Sequence, residues 1–272
     1  LAVLLPILRG GFNFGIEFRG GSEFRVNNAQ ELPQSLAVET VTEIVPGVQV
    51  NVAAVGFDDL RIQTEQLEDV ESEEVRLALA DAFGVDPAEV ASSFVGPNWG
   101  ADVTRQALIG LGVFLLLVSL LMAFYFRSWK MSVAALLALA HDLVLTAGVY
   151  AGVGFEVTPA AVIGFLTILA YSLYDTVVVF DKVRENTLEI ELSDTRTFGE
   201  MVNLAVNQTL VRSINTSVVA VLPVGSILFI GSLILGAGTL RDIALALFVG
   251  TIVGTYSSIF LAAPIYAHLR SG

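Results

Sequence analysis

No cysteine occurs in the chain, so a disulfide framework and a thiolate metal site are both excluded. Histidine appears only twice, at 141 and 268, too far apart for the paired imidazoles of an HExxH zinc site. Charge is scarce as well. Only 15% of the 272 residues are charged, against roughly 25% in a soluble domain, while 54% are hydrophobic and mean hydropathy is +0.73. Positive charge is the scarcer sign, with 14 Lys and Arg against 27 Asp and Glu. A basic stripe is therefore missing, which argues against nucleic-acid binding. No GxSxG, P-loop or other nucleophile-bearing motif is present, so the chain is not expected to be an enzyme and no cofactor is implied.

What is there falls into two unlike parts. Residues 9–104 carry nearly all of the negative excess and read as a small soluble domain. Alternating apolar residues at Phe12, Phe14, Ile16 and Phe18 predict a strand broken at Gly20-Gly21 and resumed through Phe24 and Val26. A helix is expected over Ser35–Val45, strands over Val48–Val52 and Leu60–Thr64, a second helix N-capped by Ser72, and a last strand over Ala91–Val95. The order β-α-β-β-α-β is that of a ferredoxin-like α+β domain.

The second part, residues 105–272, reads as a five-helix transmembrane bundle. The expected spans are Gln106–Phe126, Met131–Val153, Pro159–Asp181, Leu210–Ile230 and Leu240–His268. Residues 1–8, LAVLLPIL, read as the remnant of a further first span, making six in all. Arg127 and Lys130, then Lys182, Arg184 and Arg196, then Arg270 occupy alternate linkers, and the other linkers carry no Lys or Arg. By the positive-inside rule both termini face the cytoplasm and residues 9–104 lie outside a cytoplasmic membrane.

Several ionisable residues fall inside the apolar runs. Asp175 lies in one of them, where a carboxylate costs roughly 2.5–3.5 kcal/mol and needs a partner. Arg212 is the expected partner, with Asp142 and His141 at a similar depth. His141-Asp142 has two readings, a packing hydrogen bond or membership of a proton relay. Tyr171, Gln208, Asn215 and Thr216 fall at helical spacing around these charges and form the expected supporting polar face. Arg241-Asp242 reads as a helix-entry pair at the outer edge. Gly148 with Gly152, and Gly250 with Gly254, have the spacing of close helix contacts.

Five stretches, in order, resemble one known family. GIEFRGG (Gly15–Gly21), AHDLVLTAG (Ala140–Gly148), YSLYDTVVVFDKVREN (Tyr171–Asn186), NQTLVRSINTS (Asn207–Ser217) and LRDIALALFVGTIVGTYSSIF (Leu240–Phe260) are similar to the SecD/SecF family of protein-export membrane proteins, on its SecF side. The resemblance implies a resistance-nodulation-division fold and a role in late Sec-dependent export, driven by the proton motive force. It implies SecD, the SecYEG translocon with SecA upstream, YajC and the emerging preprotein as partners, and H⁺ as coupling ion, with Na⁺ the alternative. Asp175 and Arg212 carry the family's functional positions. Glu17 stands where the family usually has Asp, and Tyr174 where it commonly has Asn. Half of a proton-coupled exporter of small molecules or lipids, in the same superfamily, is the other reading.

Overall fold

The computed structural model describes residues 11–29, 33–55, 58–190, 197–231 and 238–271. The expected first-span remnant at 1–8 and Arg196 lie outside these residues.

Four strands, β2 (Gly21–Val26), β3 (Val50–Val55), β4 (Asp59–Thr64) and β5 (Val90–Val95), form an antiparallel sheet in the order β3-β4-β2-β5. Helices α2 (Gln34–Ile44) and α3 (Asp69–Phe83) connect them, so the ferredoxin-like topology is realised. Period-two alternation explains the layering: Phe24, Val26 and Ile62 point to one face and are buried against Val41, Val75 and Leu79 of the helices. Arg61, Gln63 and Glu23 point to the opposite face, with Glu23 and Gln63 directly opposite each other across β2 and β4.

Two local expectations fail. The strand expected over Phe12–Phe18 is limited to β1 (Asn13–Phe14), and Ile16–Arg19 forms one helical turn, α1. Only Ile16 of that turn is buried, so the phenylalanines alternate along the chain without lining a sheet face. Gly20 ends the turn at φ +79° and Gly21 sits at φ +143°, and a Cβ on Gly21 would meet the Thr64 carbonyl oxygen at 2.4 Å. The glycine pair thus serves a tight re-entry into β2. Ser72 is inside α3 rather than capping it. The helix starts at Asp69, where the Glu71 carboxylate accepts the Glu68 N–H at 2.9 Å.

Five helices among the described residues are long and apolar enough to cross a membrane: Asn98–Phe126, Trp129–Val153, Pro159–Thr187, Phe198–Gly231 and Leu240–Arg270. They belong to α4 (Pro97–Phe126), α5 (Trp129–Val153), α6 (Pro159–Ile190), α7 (Phe198–Ser226), α8 (Gly238–Ser257) and α9 (Ala263–Ser271). The protein is therefore a multi-pass membrane protein. α4 begins well before the expected Gln106 because Gly96 and Pro97 fill the N-cap and first helical positions. It leaves β5 and runs unbroken into the bundle, a single rod joining sheet and membrane. α7 likewise starts early, capped by Thr197 and Glu200. π-helical turns follow α7 (Ile227–Gly231) and join α8 to α9 (Ser258–Ala262).

α8 packs most extensively on α6. A Cβ on Gly250 would lie 2.4 Å from the Ile168 side chain, and one on Gly254 3.0 Å from Ser172 Cβ, so this glycine pair sets the approach.

The sheet's polar face meets the near end of the bundle. β1 pairs in parallel with β6 (Glu156–Val157) in the α5–α6 turn. Arg61 forms an ion pair with Glu156, whose other oxygen accepts from Gln63 at 2.9 Å, and Gln63 also donates to Glu23 at 3.0 Å. Glu17 lies at this junction, with Oε2 buried and without a hydrogen-bond partner among the described residues. Burial, reinforced by repulsion from Glu156 and Glu23, holds its carboxyl above the ordinary Glu range.

Two expectations follow. Gly250→Val overpacks the α6–α8 contact and costs about 1–3 kcal/mol, read as a lower melting temperature in detergent. Glu17 binds its proton more tightly folded than unfolded, so its contribution is complete below the ordinary Glu pKa and is lost as pH rises through the higher folded value. Glu17→Gln should remove that fall between mildly acidic and neutral pH, and melting curves across the window check it.

Candidate functional site

The middle of the bundle holds two buried carboxylates. Asp142 on α5 is 1% exposed and Asp175 on α6 is 5% exposed. Each is held by hydroxyls from neighbouring helices. Ser213 of α7 donates to Asp175 Oδ1 at 2.7 Å, and Ser258, the first residue of the π-helical turn after α8, donates to Oδ2. Ser172, one turn before Asp175 on α6, donates to Asp142 Oδ2, and His141 Nδ1 lies 3.3 Å from Oδ1. Helix α6 thus carries both Asp175 and a donor to Asp142.

A second row of hydroxyls continues the cluster. Tyr171 donates to Ser217 at 3.3 Å, and Ser217 shares a hydrogen bond with Thr255. The buried hydroxyls of Thr146, one turn beyond Asp142, and Thr176, beside Asp175, have no hydrogen-bond partner among the described residues. At the end of the bundle nearest the sheet, Asp242 follows Arg241 in the first turns of α8. It accepts from Thr158 at 3.0 Å and ties the start of α8 to the N-terminus of α6, where Thr158 caps Ala161.

The expected Asp175–Arg212 ion pair is not formed. Arg212 is exposed, and its Nη2 donates to the Tyr174 hydroxyl at 3.3 Å. The reason is helical phase: each residue turns about 100° around the axis, so Ser213 and Ser217 face inward while Arg212 points outward, beside Tyr174 rather than Asp175. Asn215 is exposed too, and Thr216 donates only to its own helix's carbonyls. Gln208 accepts from Asn186 at 3.0 Å, nearer the basic end. Of the expected polar face only Tyr171 belongs to the cluster around the carboxylates. The residues that surround them, Ser172, Ser213, Ser217, Thr255, Ser257 and Ser258, had a faint signal in the sequence: small hydroxyls inside otherwise apolar runs.

Comparison with known proteins bears directly on this arrangement. The family model described as "Protein export membrane protein SecD/SecF, C-terminal" matches residues 75–272, and the "SecD/SecF GG Motif" model matches residues 7–27. The chain belongs to the SecD/SecF family. On the SecF side, it is 46% identical to a protein translocase subunit SecF of Streptomyces coelicolor, over 96% of this chain and 69% of that protein. It is 43% identical to the SecF of Mycobacterium leprae, over 99% of this chain and 60% of that one. The crystal structure of SecDF from Thermus thermophilus superposes with a TM-score of 0.80 at 32% identity, covering all of this chain and 36% of that one. A SecDF structure in a super-membrane-facing form matches at 0.66 and 33% identity. These relatives are named as translocase proteins, which disfavours the small-molecule or lipid exporter.

Removing one donor leaves a buried carboxylate oxygen unsatisfied. Ser213→Ala and Ser258→Ala are each expected to cost about 1–3 kcal/mol of stability. In an Asp175→Leu background the same serine changes should cost far less, and a double-mutant cycle on thermal stability measures the coupling.

Proposed function

We propose that this chain is a SecF subunit that couples proton movement through its helix bundle to motion of the ferredoxin-like domain, assisting late steps of Sec-dependent protein translocation. The observation that carries this reading is Asp175, 5% exposed, with both oxygens held by serines from two other elements and no ion pair among the described residues. A charge buried without a counter-ion is costly. With a proton bound, the three helices stay closed around Asp175. Once the proton leaves, the charge draws a cation, and Arg212 sits next to the Ser213 that now holds the carboxylate. Exchange of Ser213 for Arg212 requires α7 to rotate or slide on α6. The buried hydroxyls of Thr146 and Thr176, with His141 and Asp142, supply groups through which a proton can pass. One charge crossing ~100 mV yields ~2.3 kcal/mol, enough to bias a two-state contact of this size. The coupling ion is H⁺; the same carboxylates would also suit Na⁺.

Two mechanical links reach the domain, the unbroken α4 rod and the Arg61–Glu156 junction. The preference for SecD as a partner half rests on α7. Its exposed face carries Arg212 and Asn215 beside Val211, Ile214 and Val218, an arrangement that lipid alone serves poorly. In a Thermus thermophilus protein named SecDF, the matching region is 34% of a longer chain. The SecYEG translocon with SecA, YajC and the emerging preprotein complete the set by family membership. Arg127, Lys130, Lys182, Arg184 and Arg270 all lie at or near helix ends on the side of the bundle away from the sheet, which supports a cytoplasmic membrane with the domain outside.

Asp175→Asn tests the reading, because it keeps the shape and removes the proton site. Export-dependent growth at normal expression should fall to that of cells lacking the subunit, and proton flux into vesicles holding the complex should fall to the protein-free rate. Undiminished growth and flux would count against coupling and leave a passive assembly role.

A further inference from the structure

A second site lies at the other end of the bundle, away from the carboxylates. A cavity of about 410 Å³ opens where the α4–α5 turn, α6 and α9 meet, a size typical of ligand sites. Three cations line it, Lys130, Arg184 and Arg270, and no acidic residue among the described residues does. None of the three has an acidic partner within 4 Å among the described residues. The contrast with the adjacent Lys182 is informative, since that side chain is neutralised by Glu185 at 2.9 Å. Asp181, one turn before Arg184 on the same helix, neither lines the cavity nor makes an ion pair. Hydroxyls of Ser128, Thr187 and Tyr266 stand among the cations. The guanidinium of Arg270 is oriented by Tyr266 at 3.3 Å and by stacking 4.6 Å over Phe198, which leaves most of its donors unused.

Three like charges converging without a counter-ion among the described residues repel one another, and an anion in the cavity removes that repulsion. The charge, the fork-shaped guanidinium donors and the hydroxyls suit a phosphate ester. The position selects its source. Phe124, Tyr125 and Trp129 are 85%, 51% and 68% exposed beside the cavity, an aromatic belt of the kind found at the membrane–water boundary. Exposed Leu117, Leu120 and Leu121 continue along α4 from that belt into the apolar layer, offering a wall for acyl chains. We propose that this cavity binds the headgroup of an anionic phospholipid at the basic surface of the membrane, and that the bound lipid clamps the ends of α4, α6 and α9 together. The site is independent of the carboxylate cluster.

The test uses the full-length protein purified with its partner half. In native mass spectrometry with phosphatidylglycerol or phosphatidylcholine as probe, the wild type should retain phosphatidylglycerol preferentially. The combined K130Q, R184Q and R270Q variant should lose that preference, by about five-fold in affinity for each cation removed. Arg76→Gln in the soluble domain should leave it unchanged. Should the triple variant fail to fold, wild-type melting decides: phosphatidylglycerol should raise the melting temperature, and phosphatidylcholine or millimolar inorganic phosphate should not. Equal retention of both lipids, undiminished phosphatidylglycerol binding by a folded triple variant, or stabilisation by inorganic phosphate alone would overturn the proposal.

Discussion

A carboxylate carried into the apolar layer of a membrane must take its hydrogen bonds from other helices, because the lipid around it supplies none. Asp142 and Asp175 impose that demand on α5 and α6, and the rest of the bundle is arranged to meet it. Ser172, Ser213 and Ser258 come from three different elements and converge on two side chains. Small residues make this possible. Gly254 admits Ser172 to close range of α8, and Gly250 does the same for Ile168. A π-helical turn begins at Ser258, where the inserted residue shifts the phase of the helix, a distortion frequent at functional sites.

The coupling proposed for this chain rests on how these carboxylates are held. The serine donors are neutral, so they satisfy the geometry of a carboxylate without cancelling its charge. A full positive charge stands one residue away on α7, at the surface, bonded only to a tyrosine. Two connections join the bundle to the sheet, since α4 is continuous from membrane to sheet and Arg61 pairs with Glu156 in the α5–α6 turn.

The uneven exposure of the helices fits a chain that works beside another bundle. Only 11% of the most apolar stretch is buried in the α4 and α7 spans, against 44% in the other three. For α4 the exposed surface from Leu108 onward carries no charge and suits lipid or the apolar side of a partner. For α7 it includes Arg212 and Asn215, which ask for polar company. The same helix therefore presents its serines inward to Asp175 and its arginine outward, placing a shift at the carboxylate directly on the surface a partner would read.

Much of this was legible in the residues. The alternation and turn signals of the first part specified the ferredoxin-like order, because a half-buried sheet enforces a period of two on its own sequence. The helical runs were equally plain, since lipid tolerates only helices with few charges, and Asp175 and Asp142 stood out as exceptions to that rule. What failed was phase and partnership. Phe12–Phe18 alternates like a strand, yet most of it coils into α1 because Gly15 and Gly20 bound a single turn. Arg212 has the right charge and depth for Asp175, but a turn of about 100° gives the position to Ser213. Ser258 and Glu156 are distant in sequence from what they touch, and the three cations of the basic cavity come from three separate helices. The sequence by itself determined which segments are helix, strand and membrane, since those follow from local periodicity and solvent. Which polar atoms meet was decided only by the tertiary structure, because helix rotation and approach are set by packing between segments that no local pattern relates.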